Sequence, residues 1–512
     1  MSFEICRAIR ADHPSLAGHF PDAPIVPGVV ILDEVAAALA EWRKDCRLTE
    51  IRAVKFVLPL KPEQPFTICL TAAKDGKAEV DFCCRIEDRM IAEGRFAISW
   101  VNPDMAAPAS SKTPAFNPQP LDPRLAHWLE AYPPSLFNER LYQSIELMER
   151  YSIDLTIDLL GRLNVIDQLG EWRSARELCH TLSFQPRFNY ALDWLLKRLI
   201  ETGCIEARID RDTRSYRVRH GPWRPELARL RAIGLDIDRT NAPTLDLLDR
   251  AASLYPAVAR GEQSGEQGLF EAQAIPLWLN YFHNNNPTYA VNNWVSAVLA
   301  ADRLATRPKL RILELGAGAG SASEILLRWF DERGLLPRIA RYLITEPNAF
   351  FRRRGQRELP KQYPDLPLEW GALDINLRWD SQGVAGGGFD LVYGVNVVHV
   401  ARDLLFSLNQ AREALAADGW LVIGECVRPN VNQPIYPELI FQILDSFTDV
   451  NTDPEIRPNP GFLTADQWRR AFTRAGFECA EVTPDVDRIR EVYSHFFTGA
   501  ICGQRAATND VR

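Results

Sequence analysis

Apolar and polar positions alternate along much of the first hundred residues. The alternation is clearest at residues 67–71, 80–86 and 95–100, and a period of two predicts β-strands that bury one face. Between about Gly28 and Lys44 the apolar positions recur instead at helical spacing. The pattern predicts a sheet wrapped around one central helix.

The pattern changes twice more along the chain. Residues from about 137 to 220 have mainly helical periodicity, and strand patterns at 205–209 and 215–219 flank a polar turn. Helices followed by such a hairpin predict a winged helix. Residues 244–306 are helical again. From Leu310 onward strands and helices alternate, which predicts a doubly wound parallel sheet.

These patterns predict a multidomain chain of α+β and α/β folds, and 512 residues fit about three or four domains. A stretch rich in proline, alanine and serine has the composition of a linker. The predicted segments are a first domain at 1–101, the linker at 102–124, a winged-helix domain at 125–243, a helical entry segment at 244–306 and a Rossmann-like domain at 307–505.

Composition narrows the classes of function. The net charge of -8 argues against a protein dedicated to nucleic acid. The ten cysteines form no Cys-x-x-Cys pair, so we expect neither a zinc site nor a disulfide framework. This cysteine usage fits a reducing, cytoplasmic environment. The first residues lack the pattern of a signal peptide, and no apolar run has the length of a membrane span.

The first candidate site lies near the N-terminus. Residues 19–21 (His-Phe-Pro) and 27–28 (Pro-Gly) precede Asp33, and this string resembles the active-site segment of hotdog-fold 3-hydroxyacyl carrier-protein dehydratases. By that resemblance, His19 is the base beside the thioester carbonyl, Asp33 protonates the departing hydroxyl, and Gly28 lets backbone N–H groups approach the carbonyl. Removal of water needs such a base and acid. The family usually shares active sites across a dimer, which implies a homodimer.

A glycine-rich turn follows the strand predicted at Leu310. A strand, a glycine turn and a helix bring the backbone close to a nucleotide-like ligand. Such a turn also occurs in NAD-binding folds, but the acidic residues after the next strands make this region resemble class I methyltransferases. The resemblance implies S-adenosyl-L-methionine as the cofactor. The cofactor-binding candidates are Glu314, Gly316, Gly318, Gly320, Glu346, Asp374 and Asn396.

A narrower resemblance concerns residues from about 245 to 505. The strings at 260–262 (Arg-Gly-Glu) and 396–399 (Asn-Val-Val-His) resemble the C-methyltransferase domains of polyketide synthases. In that family a histidine after the fourth strand pairs with a glutamate after the fifth, and here these are His399 and Glu425. The resemblance implies that His399 removes the acidic proton between the two carbonyls of a β-ketoacyl thioester. Glu425 would orient the imidazole ring and stabilise its positive charge.

One further string has two interpretations. The polar residues 283–287 and Tyr289 either cap the methyltransferase pocket, with Tyr289 contacting substrate, or form an ordinary polar turn.

The favoured hypothesis is a bifunctional enzyme of fatty acid or polyketide-type biosynthesis. It would methylate a β-ketoacyl or polyketide chain and dehydrate a 3-hydroxyacyl chain, both held on an acyl carrier protein. A ketoreduction must lie between these steps and no reductase pattern is visible, so we expect a ketoreductase and a ketosynthase that act in trans. We expect no nucleic-acid or membrane partner.

Two alternatives stay open. Residues 137–220 also resemble the winged-helix dimerisation domain of small-molecule O-methyltransferases, which deprotonate a hydroxyl with a similarly placed histidine. Their usual His-Asp-Trp string is missing after His399, which favours carbon as the methyl acceptor. The other alternative is a non-catalytic scaffold that mainly dimerises.

Overall fold

The computed structural model describes residues 2–10, 25–43, 46–72, 78–100, 125–211, 213–219 and 224–507. The chain divides into two compact units. Unit 1 comprises residues 1–117 and 270–279, and unit 2 comprises residues 118–269 and 280–512. Two sequence predictions, the role of His19 and the linker at 102–124, lie outside the described residues.

Unit 1 contains an antiparallel sheet and one long helix. Its elements are β1 (Ser2–Arg7), α1 (Gly28–Trp42), β2 (Cys46–Phe56), β3 (Phe66–Ala72), β4 (Glu79–Ile86) and β5 (Arg89–Trp100). The strand order is β1-β3-β4-β5-β2. Along β4, Val80, Phe82 and Cys84 are buried and alternate with more exposed residues, as a sheet with one covered face requires. Val35 and Leu39 of α1 belong to the same core. The predicted strands and central helix are confirmed.

Unit 2 begins with a helical region that contains a small sheet. Its elements are α2 (Ala126–Leu129), α3 (Glu139–Arg162), β6 (Arg173–Ser174), α4 (Ala175–Thr181), α5 (Asn189–Arg198), β7 (Ile205–Asp210), β8 (Thr213–Val218), α6 (Leu227–Ile237) and α7 (Ala242–Arg260). Ser174 starts α4 because its hydroxyl accepts from the N–H of Glu177, whose carboxylate accepts from the N–H of Ser174. The strand order is β6-β8-β7. The predicted hairpin is present, while the winged-helix interpretation and the domain boundaries stay predictions.

Further helices lead from this region to the large sheet. They are α8 (Gly265–Phe270), α9 (Ile275–Tyr281) and α10 (Pro287–Leu304), and residues 275–279 of α9 belong to unit 1. Helix α10 is buried along almost its whole length and packs on the sheet. Among the described residues, no helix combines the length and apolarity needed to cross a bilayer.

The rest of unit 2 is a doubly wound sheet flanked by helices. Its strands are β9 (Leu310–Leu315), β10 (Ile339–Thr345), β11 (Leu368–Gly371), β12 (Phe389–Val395), β13 (Leu415–Arg428), β14 (Leu463–Thr464), β15 (Glu478–Thr483) and β16 (Thr498–Gln504). Its helices are α11 (Ser321–Glu332), α12 (Ala349–Gln362), α13 (Leu404–Ala414), α14 (Glu438–Phe441), α15 (Asp445–Thr448), α16 (Ala465–Arg474) and α17 (Val486–Arg490). The main strand order is β11-β10-β9-β12-β13-β16-β15, and β14 pairs with β13.

The prediction of a wholly parallel sheet holds for β9 to β13 and fails at one edge. β16 runs antiparallel to both β13 and β15. Strands β15 and β16 are joined without the crossover that would keep two strands parallel, so the chain reverses direction between them. All seven residues of β12 are buried, as expected for a strand covered on both faces.

Candidate active site

The glycine turn between β9 and α11 adopts the backbone conformation that its sequence predicts. Gly316, Gly318 and Gly320 have φ angles of 56°, 54° and 89°, a region that side chains disfavour. A Cβ atom at Gly316 would lie 2.6 Å from a methyl group of Val397, whereas a Cβ at Gly318 would have no described atom within 4 Å. The turn therefore packs tightly against the sheet on one side and leaves free space beside Gly318.

Glu346 connects the next strand to this turn. It follows β10, and its carboxylate accepts from the N–H of Gly318 at 2.9 Å and from the N–H of Asn348 at 2.7 Å. Burial raises the pKa of Glu346, although both hydrogen bonds and Arg352 act in the opposite direction. The structure therefore brings two of the predicted cofactor residues into direct contact.

Glu314 lies inside the protein, at the end of β9. Its Oε2 atom accepts from the Ser323 hydroxyl at 2.7 Å and from the Tyr342 hydroxyl at 2.5 Å. Burial raises the pKa of this carboxyl to about 7. Its other oxygen is buried and has no hydrogen-bond partner among the described residues. Glu314 thus ties β9 to β10 and α11 around the glycine turn.

Asp374 and Asn396 lie in the loops that follow β11 and β12. The N–H of Asp374 donates to Gln382 Oε1 at 2.8 Å, and its carboxylate accepts from the N–H of Asn376 at 2.9 Å. Asn396 has a φ of 54°, and its N–H donates to the carbonyl of Gly424 at 2.7 Å. Parallel strands place their carboxyl ends at one edge of a sheet, so both loops belong to the edge that carries the glycine turn.

His399 and Glu425 form a buried pair at the same edge. Nδ1 of His399 lies 2.7 Å from Glu425 Oε2, and the two side chains are 5% and 0% exposed. Glu425 Oε1 accepts from the backbone N–H groups of Val398 at 2.9 Å and His399 at 3.2 Å. Three hydrogen bonds therefore fix the carboxylate, which in turn fixes the ring and leaves Nε2 as the nitrogen not engaged by Glu425.

Residues that the sequence analysis missed enclose this pair. The ring of Phe462 packs on the His399 ring with centroids 4.5 Å apart, and Phe447 lies at 5.8 Å. The buried guanidinium of Arg457 donates to the carbonyl oxygens of His399 and Ala401. Burial lowers the pKa of Arg457 to about 10. These residues come from loops and short helices without periodicity, and no local pattern in the sequence marks them.

Tyr289 lies beside the glycine turn. It is buried in α10, packs against Phe282 with ring centroids 5.3 Å apart, and interacts with Ser321, the first residue of α11. Burial raises its pKa to about 12. Asn284 Nδ2 donates to the carbonyl of the same Ser321 at 3.0 Å. Residues 284 and 289 thus contact the first residue after the glycine turn. Substrate contact by Tyr289 stays a prediction.

In unit 1 the structure describes two of the three predicted dehydratase residues. Asp33 is 7% exposed within α1, and Gly28 is the first residue of that helix. A Cβ atom at Gly28 would lie 2.5 Å from the Phe56 ring, so a larger residue would need that ring to move. The neighbouring Glu34 pairs with Arg7 at 3.3 Å. Because His19 lies outside the described residues, its relation to Asp33 stays a prediction.

The described residues contain no group of three or more histidine, cysteine, aspartate or glutamate side chains that could hold a metal ion.

Comparisons with known proteins extend these observations. Residues 2–95 match the model of the ApeI dehydratase family. The polyketide synthase PksR of Bacillus subtilis (strain 168) is 26% identical over 247 residues, which are 47% of this chain and 9% of PksR. The highly reducing polyketide synthase resH of Aspergillus sclerotiorum is 32% identical over 178 residues, which are 35% of this chain and 7% of resH. The chain thus spans less than a tenth of these two relatives.

Two solved structures share the fold of unit 2. The CurJ carbon methyltransferase has a TM-score of 0.61 and 24% identity, over 75% of this chain and 98% of that protein. The DszA carbon methyltransferase has a TM-score of 0.59 and 23% identity, over 76% and 97%. The chain therefore has an N-terminal region that matches the ApeI dehydratase family and a larger region with the fold of solved carbon methyltransferases.

Proposed function

We propose that unit 2 is an S-adenosyl-L-methionine-dependent methyltransferase of polyketide-type biosynthesis. Its acceptor is the carbon between the two carbonyls of a β-ketoacyl thioester. The observation that carries this proposal is the buried pair of His399 and Glu425 at the sheet edge that holds the glycine turn. A buried base beside a nucleotide-type turn is what transfer of a methyl group to an acidic carbon needs.

The residues at the glycine turn fit the cofactor. The free space beside Gly318 and the unpartnered buried oxygen of Glu314 leave room and hydrogen-bonding capacity at the turn. Gly316, Gly318 and Gly320 would bring their backbone against the ligand, and Glu346, Asp374 and Asn396 would line it from neighbouring loops. When bound, S-adenosyl-L-methionine supplies an electrophilic methyl group.

His399 would remove the acidic proton of the acceptor. Because Nδ1 faces Glu425 at 2.7 Å, Nε2 is the atom that would take the proton. The carboxylate of Glu425 would stabilise the resulting imidazolium and keep the ring in place. Phe447 and Phe462 cover the ring and would keep water from competing for the base.

The N-terminal domain would dehydrate a 3-hydroxyacyl thioester. His19 would take the proton next to the carbonyl and Asp33 would protonate the leaving hydroxyl. The match to the ApeI dehydratase family and the buried position of Asp33 on α1 support this role. The two reactions are separated by a ketoreduction, so the proposal includes an acyl carrier protein and a ketoreductase and ketosynthase in trans. We also infer a homodimer, in which the helices and hairpin around β7 and β8 would act as a winged-helix module.

Mass spectrometry of an acyl carrier protein loaded with an acetoacetyl group tests the methyltransferase. After incubation with S-adenosyl-L-methionine, the wild type should add one methyl group to the acyl chain. His399→Ala should reduce the rate by about 10²–10⁴. His495→Ala is a matched control, because Nδ1 of His495 lies 2.5 Å from Glu146 Oε2 in a much more exposed pair. Methylation of phenols alone would favour the O-methyltransferase, and equal activity of all variants would contradict the assignment of His399.

A second arm tests the dehydratase. A carrier loaded with a 3-hydroxybutanoyl group should lose water with the wild type and keep it with His19→Ala or Asp33→Asn. Glu34→Gln is the control for Asp33, because Glu34 is the next residue of α1 and is engaged with Arg7. If neither the wild type nor any variant methylates the acetoacetyl group or dehydrates the 3-hydroxybutanoyl group, the non-catalytic scaffold becomes the better interpretation.

A further inference from the structure

A groove in unit 2 lies apart from the glycine turn and has no role in the mechanism above. It has a volume of about 570 Å³. Its walls come from α4, α5, the β7–β8 hairpin and the segment that follows β13. We call it the basic groove, after the four cationic residues in its lining: Arg176, Lys197, Arg214 and Arg428.

The basic groove has an excess of positive charge. Asp193 is the acid among the described residues that line it, and its carboxylate pairs with Lys197 Nζ at 2.7 Å and accepts from the Tyr216 hydroxyl at 2.6 Å. Arg428 pairs with the buried Glu438. Two of the four cations are thus compensated, although the protein as a whole is acidic.

The remaining two cations, Arg176 and Arg214, are not neutralised by a carboxylate among the described residues, although Arg214 also interacts with the Tyr216 hydroxyl. The structure gives Arg214 a hydrogen bond to Asn432 Oδ1 at 2.9 Å, and within the described residues it gives neither Arg214 nor Arg176 an ion pair. Burial lowers the pKa of Lys197, and the nearby charges of Arg214 and Arg428 lower it further, against the effect of Asp193. Lys197, Arg214 and Arg428 therefore lie close enough to repel one another, and an anion bound beside them would relieve that repulsion.

Two chain segments connect the basic groove to the surroundings of His399. Arg428 is the last residue of β13, three residues after Glu425, and it lines the groove. Pro460 also lines the groove, while Phe462 two residues later packs on the His399 ring. Glu438 accepts from both Arg428 Nε at 2.8 Å and the N–H of Phe462 at 3.2 Å. Glu438 thus connects the cationic lining of the groove to the segment that carries the aromatic cover of His399.

The mouth of the basic groove exposes large apolar side chains. Tyr190 and Ile209 line it and are 51% and 66% exposed. Single exposed apolar residues are ordinary, but these two lie beside cations at the opening of one groove. Apolar side chains around a cationic centre suit an organic anion carried by another macromolecule better than a free inorganic ion.

We propose that the basic groove binds the phosphate of a phosphopantetheine arm through Arg176 and Arg214, and so directs a carrier-bound acyl chain toward His399. This inference rests on the proposed function, because it supplies the path by which a carrier-bound β-ketoacyl group reaches the base. Guanidinium groups suit this task because their planar N–H pairs match phosphate oxygens. The arm itself is flexible and extended, so an anchor at its phosphate would lower the entropy lost when the acyl end enters the pocket.

Two thioesters that differ only in the phosphate test the proposal: acetoacetyl-phosphopantetheine and acetoacetyl-pantetheine. The wild type should methylate the phosphorylated thioester with a kcat/KM about tenfold higher, mainly through KM, and added salt or inorganic phosphate should reduce this ratio. In Arg176→Gln/Arg214→Gln the ratio should fall close to one. The control Arg208→Gln/Arg219→Gln removes two exposed charges from the same hairpin region outside the groove lining and should keep the wild-type ratio.

Direct binding keeps this test separate from the methyltransferase assignment. Fluorescence anisotropy with labelled phosphopantetheine and labelled pantetheine should show the same preference in the wild type and its loss in the groove variant. If no thioester is methylated but this binding preference exists and is lost in the variant, the proposed function fails and the groove assignment stands. The assignment would be overturned if the wild type bound phosphopantetheine no better than pantetheine. It would also be overturned if the Arg176→Gln/Arg214→Gln variant kept that preference while its thermal melting was unchanged.

Discussion

The described residues of unit 2 include two histidine–glutamate pairs with nearly the same separation and very different surroundings. His399 and Glu425 are 2.7 Å apart, and their side chains are 5% and 0% exposed. His495 and Glu146 are 2.5 Å apart, and their side chains are 32% and 44% exposed. Only the first pair lies at the sheet edge of the glycine turn, under the rings of Phe447 and Phe462. The distance between the two side chains therefore does not distinguish the pairs, and the proposed catalytic role of His399 rests on burial and on position at the edge of the glycine turn.

Replacing the glutamate of each pair should give the largest difference between the two pairs. Glu425→Gln should reduce methylation by about 10²–10³ because the amide stabilises a charged ring far less than a carboxylate does. Glu146→Gln should leave the rate within about twofold, since the exposed pair takes no part in the reaction. Initial rates with acetoacetyl-loaded carrier protein measure both. Equal losses in the two variants would mean that each pair acts only through structure.

The aromatic cover of the buried pair should also contribute to stability. Phe462→Ala should lower the free energy of unfolding by about 3–4 kcal/mol, because the ring is buried and its removal leaves a cavity over His399. Phe462→Leu should cost less, at about 1–2 kcal/mol, since it refills most of the volume. Chemical denaturation with each variant gives these values. An unchanged stability in Phe462→Ala would show that the ring does not pack as described.

Glu314 is a buried glutamate whose hydrogen-bond partners are hydroxyl groups instead of a histidine, and it can be compared with the two histidine–glutamate pairs. Its pKa is raised to about 7 by burial, whereas the unfolded chain should titrate near 4.5. The folded state therefore holds this proton more tightly, and the contribution of Glu314 to stability falls as pH rises from about 4.5 to 7. Glu314→Gln cannot titrate, so its stability relative to the wild type should rise across that interval by up to about 3 kcal/mol and then level off.

Denaturation curves at several pH values test this sign. The Tyr342 and Ser323 hydroxyls can still donate to the glutamine oxygen, which limits other effects of the substitution. A stability difference that is constant with pH, or that falls as pH rises, would contradict the raised pKa.

Substitution in the exposed pair of His495 and Glu146 should have the smallest effect on stability. Burial raises the pKa of Glu146, but the hydrogen bonds and charge of His495 outweigh it, so the pKa lies below its ordinary value. A lowered pKa stabilises the fold above the unfolded value, and this contribution disappears as pH falls through the folded one. Because both side chains are about a third or more exposed, His495→Ala should change stability at neutral pH by less than about 0.5 kcal/mol. A loss of several kcal/mol would show that this pair is not a surface pair.

Much of the fold and part of the candidate site could be predicted from local sequence. The strands β9, β10, β12 and β13 are buried on both faces and therefore consist of apolar runs. The turn at Gly316, Gly318 and Gly320 was predictable because its positive φ angles favour glycine. The antiparallel direction of β16 was not predictable in this way, since pairing depends on the connection and on neighbours distant in sequence.

By itself, the sequence determined the order of elements and the glycine turn, because both depend on local backbone preference, whereas the family resemblance implied the pairing of His399 with Glu425. Only the tertiary structure decided which partners surround them. Phe447, Phe462 and Arg457 reach His399 from irregular segments, and the basic groove joins Lys197 to Arg428 across more than two hundred residues of chain. Burial and electrostatic fields arise from such long-range packing, which has no periodic signature in the sequence.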